Sequence, residues 1–257
     1  GTDIGLPENT SMNHWWGGDG VAVGIGTISS RLQLYFGSQN GNIHAYDDDY
    51  RADIKPTGSP TGDAALFITY FYLDPDNNNH LYYAGRSTLY KTSDALNVTS
   101  NTWVNAGKLS SEEDLRTFAT TRGTYDAASS YLLIGGESGG IFRFDDPVNT
   151  ANLNAAVNIT PNRATTNRYT VVSGLAIHPT NPDIVLAVYA NYGINSIFLT
   201  TDATSANPTW SLVEQNLSNH SIRSAAITTV NNEIRYFVGT ARGLYSNSDP
   251  ENDNWVL

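Results

Sequence analysis

The strongest constraint on this chain is a short pattern that recurs five times and ends on aspartate each time. The copies occupy residues 43–48, 89–94, 141–146, 197–202 and 244–249. Each combines apolar or aromatic residues with a polar end, and the five aspartates recur with a period of roughly 50 residues. A period of this length is typical of arrays of small β-sheets and unlike the shorter periods of most helical solenoids. The chain is therefore predicted to be a repeat protein.

Each repeat contains more strand-like segments than the one that ends on aspartate. A β-branched or aromatic run that breaks at a small residue precedes each copy, at 34–37, 81–85, 132–135, 185–188 and 236–239. Another apolar segment lies upstream, and Trp103, Trp210 and Trp255 open a last strand in three repeats. Four short strands in each repeat predict an all-β chain, a β-propeller of about five four-stranded antiparallel blades. We expect a single domain over residues 1–257.

Three of the repeat ends resemble degenerate Asp-box (BNR) hairpins, in which a hydroxyl residue, a spacer and Asp are followed by Gly and Trp. The matching residues are Thr92-Ser93-Asp94 with Trp103, Thr200-Thr201-Asp202 with Trp210, and Asn247-Ser248-Asp249 with Trp255. The stretches 74–85 and 178–183 are similar to those of sialidase-like, xyloglucanase-like and sortilin-like propellers. The Gly after the Asp is missing from every copy, and repeats one and three lack the Trp. The resemblance implies a fold but no single function, because these propellers include glycosidases, receptors and adhesins.

The two ends of the sequence suggest how the array is completed. The last repeat stops in mid-strand after Trp255, whereas the fourth repeat continues through 210–218. We expect residues 1–7 to pair beside the strand that contains Trp255 and so complete the fifth blade. A sixth blade in a longer parent chain, or a fragment of a larger propeller, would give the same ends.

Composition restricts the partners and the setting of the chain. Asp and Glu number 25 against 14 Lys and Arg, and the net charge of −11 opposes binding to nucleic acid or to an anionic membrane surface. No apolar run is long enough to predict membrane insertion. The absence of cysteine excludes thiolate catalysis and zinc–cysteine sites. Charged residues are only 15%, which favours an extracellular or cell-surface protein, and the composition resembles propellers of Bacteroidetes-type bacteria.

The predicted ligand site lies on the first strands of the repeats. Aligning these strands on Val23, Leu73, Thr120, Ile177 and Ile227 brings five residues into one column, namely Asp19, Thr69, Arg116, Ser173 and Arg223. Two arginines and an aspartate across a channel can bind a carboxylate or a polar sugar, because guanidinium presents a fork of donors. The alternative is a structural ion pair that lines a water-filled channel.

A pair of tryptophans upstream of Asp19 completes the predicted site. Trp15 and Trp16 precede a glycine-rich turn, and one indole can stack on a sugar face. Because neighbouring side chains on a strand point to opposite faces, at most one of the two faces the ligand. The other is expected to pack between blades.

The repeated aspartates are predicted to be scaffold and not catalytic groups. A residue that recurs in every blade serves what every blade needs, and its carboxylate can accept hydrogen bonds from backbone N–H groups of the hairpin. The cluster at 47–49 lacks the spacing of a calcium loop, and the five histidines lack paired ligand spacing. No metal and no cofactor are predicted.

Two classes of function remain open. The first is a non-catalytic extracellular propeller that binds a glycan or a protein or has a structural role. The second is a glycoside hydrolase of sialidase-like or xyloglucanase-like type, which needs two carboxylates that flank the scissile bond. Asp19, Asp63 and Asp114 are the plausible carboxylates, but no third arginine is evident for a sialidase-like site. The sequence favours binding over catalysis and identifies no catalytic residue.

Overall fold

The computed structural model of the chain describes residues 3–6, 9–14, 19, 21–47, 50–162 and 170–257. Its contacts divide the chain into two compact units, residues 1–107 and residues 108–257. Each unit is built from antiparallel sheets whose strands follow one another in sequence order. The single domain expected over residues 1–257 stays a prediction.

The first unit contains three sheets. A two-stranded sheet joins β1 (Asp3–Leu6) to β2 (Asn9–His14). Sheet I consists of β3 (Val23–Ile28), β4 (Arg31–Gly37), β5 (Ile43–Asp47) and β6 (Tyr50–Asp53). Sheet II consists of β7 (Phe71–Leu73), β8 (Leu81–Gly85), β9 (Thr88–Thr92) and β10 (Val104–Lys108), whose last residue lies just past the boundary between the units.

The second unit also contains three sheets. Sheet III consists of β11 (Leu115–Thr120), β12 (Tyr131–Gly136), β13 (Ile141–Asp145) and β14 (Val157–Asn158). Sheet IV consists of β15 (Val171–Ile177), β16 (Val185–Ala190), β17 (Ile197–Thr200) and β18 (Ser211–Leu212). Sheet V consists of β19 (Ile222–Val230), β20 (Glu233–Thr240) and β21 (Gly243–Asn247).

Helix is confined to single turns in the described part of the chain. Four 3-10 turns of three residues each occur there, at Gly62–Ala64, Ala95–Asn97, Leu153–Ala155 and Gln215–Leu217. The predicted all-β class, with five antiparallel sheets of three or four strands, is confirmed.

The pairing expected for residues 1–7 would join the two units, and it stays a prediction. Asp3–Leu6, the described part of this segment, pairs with Asn9–His14 in a sheet of its own. Beside β21, the fourth position of sheet V is taken by an isolated bridge between Ser246 and Val256. Only two residues of sequence separate Asp3–Leu6 from Asn9–His14, and short-range pairing needs less loop-closure entropy than pairing with a distant strand.

The second strands of sheets II, III and IV form the cores because both of their faces are covered. Every residue of β8 and of β12 is buried, which explains why these segments are continuous apolar runs without alternation. In the second unit, Tyr131 and Leu133 of sheet III share a core with Ala187 and Tyr189 of sheet IV. The other face of sheet IV, including Leu186 and Val188, packs with Tyr236, Val238 and Trp255 in a second core.

The three repeat tryptophans each donate a hydrogen bond to the sheet that precedes their own. The indole Nε1–H of Trp103 lies 2.7 Å from the carbonyl oxygen of Ile54. The corresponding distances are 2.8 Å from Trp210 to Ile159 and 2.8 Å from Trp255 to Val213. The three acceptors directly follow β6, β14 and β18 and are buried. The tryptophans therefore join neighbouring sheets within each unit, and they also pack against the apolar cores.

The repeated aspartates are scaffold residues, but their main donors differ from the predicted ones. The side-chain amide of the asparagine three residues later donates to Asp94 at 3.0 and 3.1 Å, and to Asp249 at 3.0 and 2.9 Å. Asn149 donates to Asp146 at 2.8 Å in the same way. Asp202 accepts from the Thr200 hydroxyl at 2.6 Å and, as predicted, from the backbone N–H of Thr209 at 2.9 Å. Asp48 lies outside the described residues.

Replacing Trp210 by Phe should destabilise the protein by about 1–3 kcal/mol, because the buried carbonyl of Ile159 loses its hydrogen-bond donor. Urea unfolding followed by circular dichroism measures this loss. Tyr192→Phe is the control, since this exposed side chain should tolerate loss of its hydroxyl without a measurable change. Equal midpoints for Trp210→Phe and the wild type would contradict the assigned role.

Asp94→Ala and Asn97→Ala should each lower the free energy of unfolding by about 1 kcal/mol, because either change breaks the same pair of side-chain hydrogen bonds. The free energy of unfolding of the double variant should be close to that of the less stable single variant, since the interaction is already lost. Chemical unfolding of the four proteins gives the coupling energy. Fully additive losses would show that the two side chains act independently.

Candidate functional site

Three residues of the predicted column occupy equivalent irregular positions in the second unit. Arg116, Ser173 and Arg223 each provide the extra residue of a β-bulge in the first strand of sheets III, IV and V. β15 lies beside both β11 and β19, so the three bulges belong to adjacent strands. A bulge interrupts the alternation of side chains and redirects the inserted one. The alignment of these three positions is therefore a structural equivalence, and we call this part of sheets III–V the bulge end.

The three bulge residues differ in how far their side chains are engaged. Arg116 forms an ion pair with Glu137, with 2.6 Å between NH2 and Oε2, and its side chain is 16% exposed. The Ser173 hydroxyl donates to the carbonyl oxygen of Ile222 at 2.9 Å, which links β15 to β19. Arg223 is exposed, and within the described residues its guanidinium makes no hydrogen bond or ion pair. Arg223 is therefore a cation in the bulge array that is accessible to a ligand.

The remaining predicted site residues lie in the first unit or outside the described residues. Asp19 is exposed, and its backbone N–H donates to Gln39 Oε1 at 3.0 Å. Thr69 is buried and donates to the carbonyl oxygen of Ser38 at 2.5 Å, which is a structural role. Trp15 and Trp16 lie outside the described residues. The structure thus places Arg116 and Arg223 on the two strands that flank β15, while the contribution of Asp19, Trp15 and Trp16 stays a prediction.

Two glutamates near the bulge end hold turns and were not recognised in the sequence. Glu113 Oε1 accepts from the backbone N–H groups of Ser138 at 2.6 Å and Gly140 at 3.0 Å. Glu214 Oε1 accepts from the backbone N–H and the hydroxyl of Ser196, at 2.6 and 2.8 Å. Burial raises the pKa of Glu214, and the hydrogen bonds from Ser196 oppose this shift. Each carboxylate fixes the segment between the second and third strands of its sheet.

Of the carboxylates considered for hydrolysis, Asp19 is exposed in the first unit, and Asp63 lies in the 3-10 turn Gly62–Ala64. Asp114 lies just before β11, where its carbonyl oxygen accepts from the N–H of Glu137 at 2.9 Å. Among the described residues, no group of three or more His, Cys, Asp or Glu is placed to hold a metal ion. That part of the chain also contains no helix long and apolar enough to cross a membrane.

The opposite end of sheets III and IV contains two adjoining polar clefts that sequence analysis missed. They lie where the loop between β11 and β12 meets the loop between β15 and β16, and they share Ser129, Ser130 and Pro182. The smaller cleft, of about 140 Å³, is also lined by Thr121, Arg122, Thr124, His178, Pro179 and Thr180. The larger, of about 330 Å³, is also lined by Ala127, Ala128, Tyr131, Arg143, Asp145 and Thr204. These residues come from separate loops, so no motif of adjacent residues marks the clefts.

His178 fixes the turn that forms one wall of the smaller cleft. Its Nδ1 atom accepts from the backbone N–H groups of Thr180 at 3.2 Å and Asn181 at 3.1 Å, which requires an unprotonated Nδ1. The proton of the neutral ring is then on Nε2, 3.4 Å from the hydroxyl of Thr229. Asp74 holds the equivalent turn of sheet II with Oδ1, so an imidazole replaces a carboxylate here. Burial lowers the pKa of His178.

The unfolding free energy should fall as the pH is lowered from 7 towards 5. Since the pKa of His178 is lower in the folded state than the ~6.5 of an unfolded chain, the unfolded state binds more protons in this range. His178→Asn keeps an acceptor for the turn but does not titrate, so its unfolding free energy should depend less on pH. Urea unfolding at several pH values compares the two slopes. Identical slopes would show that His178 does not contribute.

Comparison with known proteins identifies the fold. The sequence matches no family model and no curated protein. Among solved structures, the chain is similar to the GH74 enzyme of Niastella koreensis, with 16% identity and a TM-score of 0.63 over 93% of this chain and 37% of that chain. It is also similar to YCF48 from Cyanidioschyzon merolae, with 14% identity and a TM-score of 0.59 over 95% of this chain and 74% of that chain.

A third similar structure is the outer coat vertex of COPII on membranes, with 16% identity and a TM-score of 0.54 over 86% of this chain and 58% of that chain. The chain spans only about 37% of the length of the GH74 enzyme. At these identities the likeness shows the fold, and the predicted β-propeller is confirmed. Proteins as different as an enzyme and a membrane coat are similar to this chain in fold, so the fold does not specify the function.

Proposed function

We propose that this chain is a non-catalytic, extracellular or cell-surface β-propeller module that binds a glycan or protein ligand at its bulge end. The observation that carries the proposal is the equivalence of Arg116, Ser173 and Arg223 as bulge residues on adjacent first strands. Bulges are over-represented at sheet edges and next to active sites, where they redirect a side chain. The predicted set of ligand-binding residues also includes Asp19 and one of Trp15 and Trp16, and these stay predictions.

The chemistry of the bulge end favours a ligand with acceptor oxygens. Arg223 presents free guanidinium donors, and the ion pair between Arg116 and Glu137 offers a second set of polar groups. The exposed cation stands out on a chain with a net charge of −11, because most of the surface repels anions. A carboxylate or a group of hydroxyls on a glycan or a protein surface satisfies these donors. The degenerate Asp-box motifs and the low charged fraction support an extracellular setting.

The alternative is a glycoside hydrolase of sialidase-like or xyloglucanase-like type. Its specific support is the likeness to a GH74 enzyme, which concerns the fold. Near the bulge end, Glu113 and Glu214 are held by turn hydrogen bonds, and Glu137 is paired with Arg116. Carboxylates that are engaged in this way are better suited to a scaffold than to proton transfer. Release of reducing ends from a panel of polysaccharides would establish the hydrolase instead.

Arg223→Ala should weaken binding of the best ligand from a glycan or protein array by about tenfold or more, because a charge-assisted hydrogen bond is lost. Arg116→Ala should have a similar effect, but it also releases Glu137 from its ion pair. Isothermal titration calorimetry with the purified variants measures both changes.

Arg235→Ala is the matched control for charge. Arg235 belongs to the same sheet as Arg223, but it pairs with Glu233 at 2.8 Å near the other end of β20. Its removal changes the net charge equally and should leave the affinity unchanged. If all three variants bind like the wild type, the ligand does not contact the bulge end.

A further inference from the structure

The larger cleft between sheets III and IV contains a carboxylate that is held rigidly while it faces solvent. Asp145 ends β13, and its side chain is 55% exposed. Arg143 donates to both carboxylate oxygens, from Nε to Oδ1 at 2.7 Å and from NH2 to Oδ2 at 3.1 Å. A bidentate pair of this kind fixes the plane and the position of the carboxylate.

The arginine is itself anchored by the neighbouring sheet. Its NH1 group donates to the carbonyl oxygens of Ala203 at 2.6 Å and Ser205 at 2.8 Å, and its side chain is 8% exposed. Four hydrogen bonds thus immobilise the guanidinium. The ion pair leaves the further lone pairs of Asp145 available, because a carboxylate accepts about four hydrogen bonds. The cleft therefore contains a pre-organised acceptor whose charge is already neutralised.

The other walls of this cleft provide hydroxyls with defined roles. Ser130 Oγ accepts from the backbone N–H of Asp126 at 2.9 Å, which leaves its own proton for a ligand. The hydroxyls of Ser129 and Thr204 donate to Asp126 and Asp183, so their lone pairs remain available. The cleft presents both donors and acceptors, and its volume of about 330 Å³ lies within the range of small-molecule sites.

From these groups we infer that the larger cleft is a second binding site, for a neutral carbohydrate whose adjacent hydroxyls donate to Asp145 and accept from Ser130. A ligand that both donates and accepts at adjacent atoms matches the alternating roles of the cleft walls. A charged ligand gains little, because Arg143 and Asp145 cancel each other's charge. This site lies at the other end of sheet III from Arg116, so it does not depend on the function proposed for the bulge end.

The test is calorimetric titration of the full chain with neutral cello-, xylo- and manno-oligosaccharides. At least one series should bind to the wild type, and Asp145→Ala should reduce its affinity by about tenfold or more. Ala128→Phe should abolish binding by filling the cleft, and it leaves the ion pair intact. Thermal unfolding of each variant verifies that the protein is folded.

Glu233→Gln is the matched control, because this carboxylate also pairs with an arginine two residues away but lies outside the cleft. It should bind like the wild type. Failure of all three neutral series to bind would overturn the site. Wild-type affinity in both Asp145→Ala and Ala128→Phe would overturn its location, and tighter binding of oligogalacturonate would overturn the neutral ligand class. Loss of binding in Arg223→Ala alone would place the ligand at the bulge end.

Discussion

The hydrogen bond from a repeat tryptophan to the preceding sheet is the interaction on which the packing within each unit depends. The outermost strand of a sheet leaves unpaired backbone groups at its edge, and burying them without partners is costly. Ile54, Ile159 and Val213 use their N–H groups to bond back to the third strand of their own sheet, at 3.1, 2.9 and 2.9 Å. Their carbonyls then need a donor from elsewhere. An indole supplies that donor together with a large apolar surface, so one residue type satisfies both requirements.

This constraint explains why the fold could be predicted from the sequence. The spacing of the aspartates and of the tryptophans follows from the repetition of one sheet and one junction, so periodicity alone predicted five sheets. Local details were less accessible, because the expected backbone donors to Asp94 and Asp249 proved to be the side chains of Asn97 and Asn252. That signal was present as an Asp followed by Asn three residues later. The pairing of Asp3–Leu6 could not be decided by periodicity, since the segment lies outside the repeats.

For the candidate sites, too, the sequence predicted the repeated positions but not the local contacts. Alignment of the first strands placed Arg116, Ser173 and Arg223 correctly in one set, because an inserted bulge residue keeps a constant distance from the aligned position that follows it. What the alignment could not show is that Arg116 is paired with Glu137 while Arg223 is free within the described residues. Such differences depend on turns that vary between repeats. The polar clefts could not be predicted from the sequence for a related reason, since Arg143 and Thr204 line the same cleft only after two sheets have packed.

At both ends of the sheets, side chains change between equivalent positions of the repeats, but the positions are of different kinds. At the bulge end, the inserted residue is arginine in sheets III and V and serine in sheet IV, so the bulge recurs between repeats while its side chain varies. At the other end, the turn of sheet IV keeps its geometry although His178 replaces the carboxylate that Asp74 provides in sheet II. In both cases the scaffold tolerates substitution because the backbone conformation is over-determined by neighbouring strands. A repeat fold of this kind can therefore acquire binding residues one position at a time, with little cost to the sheets that hold them.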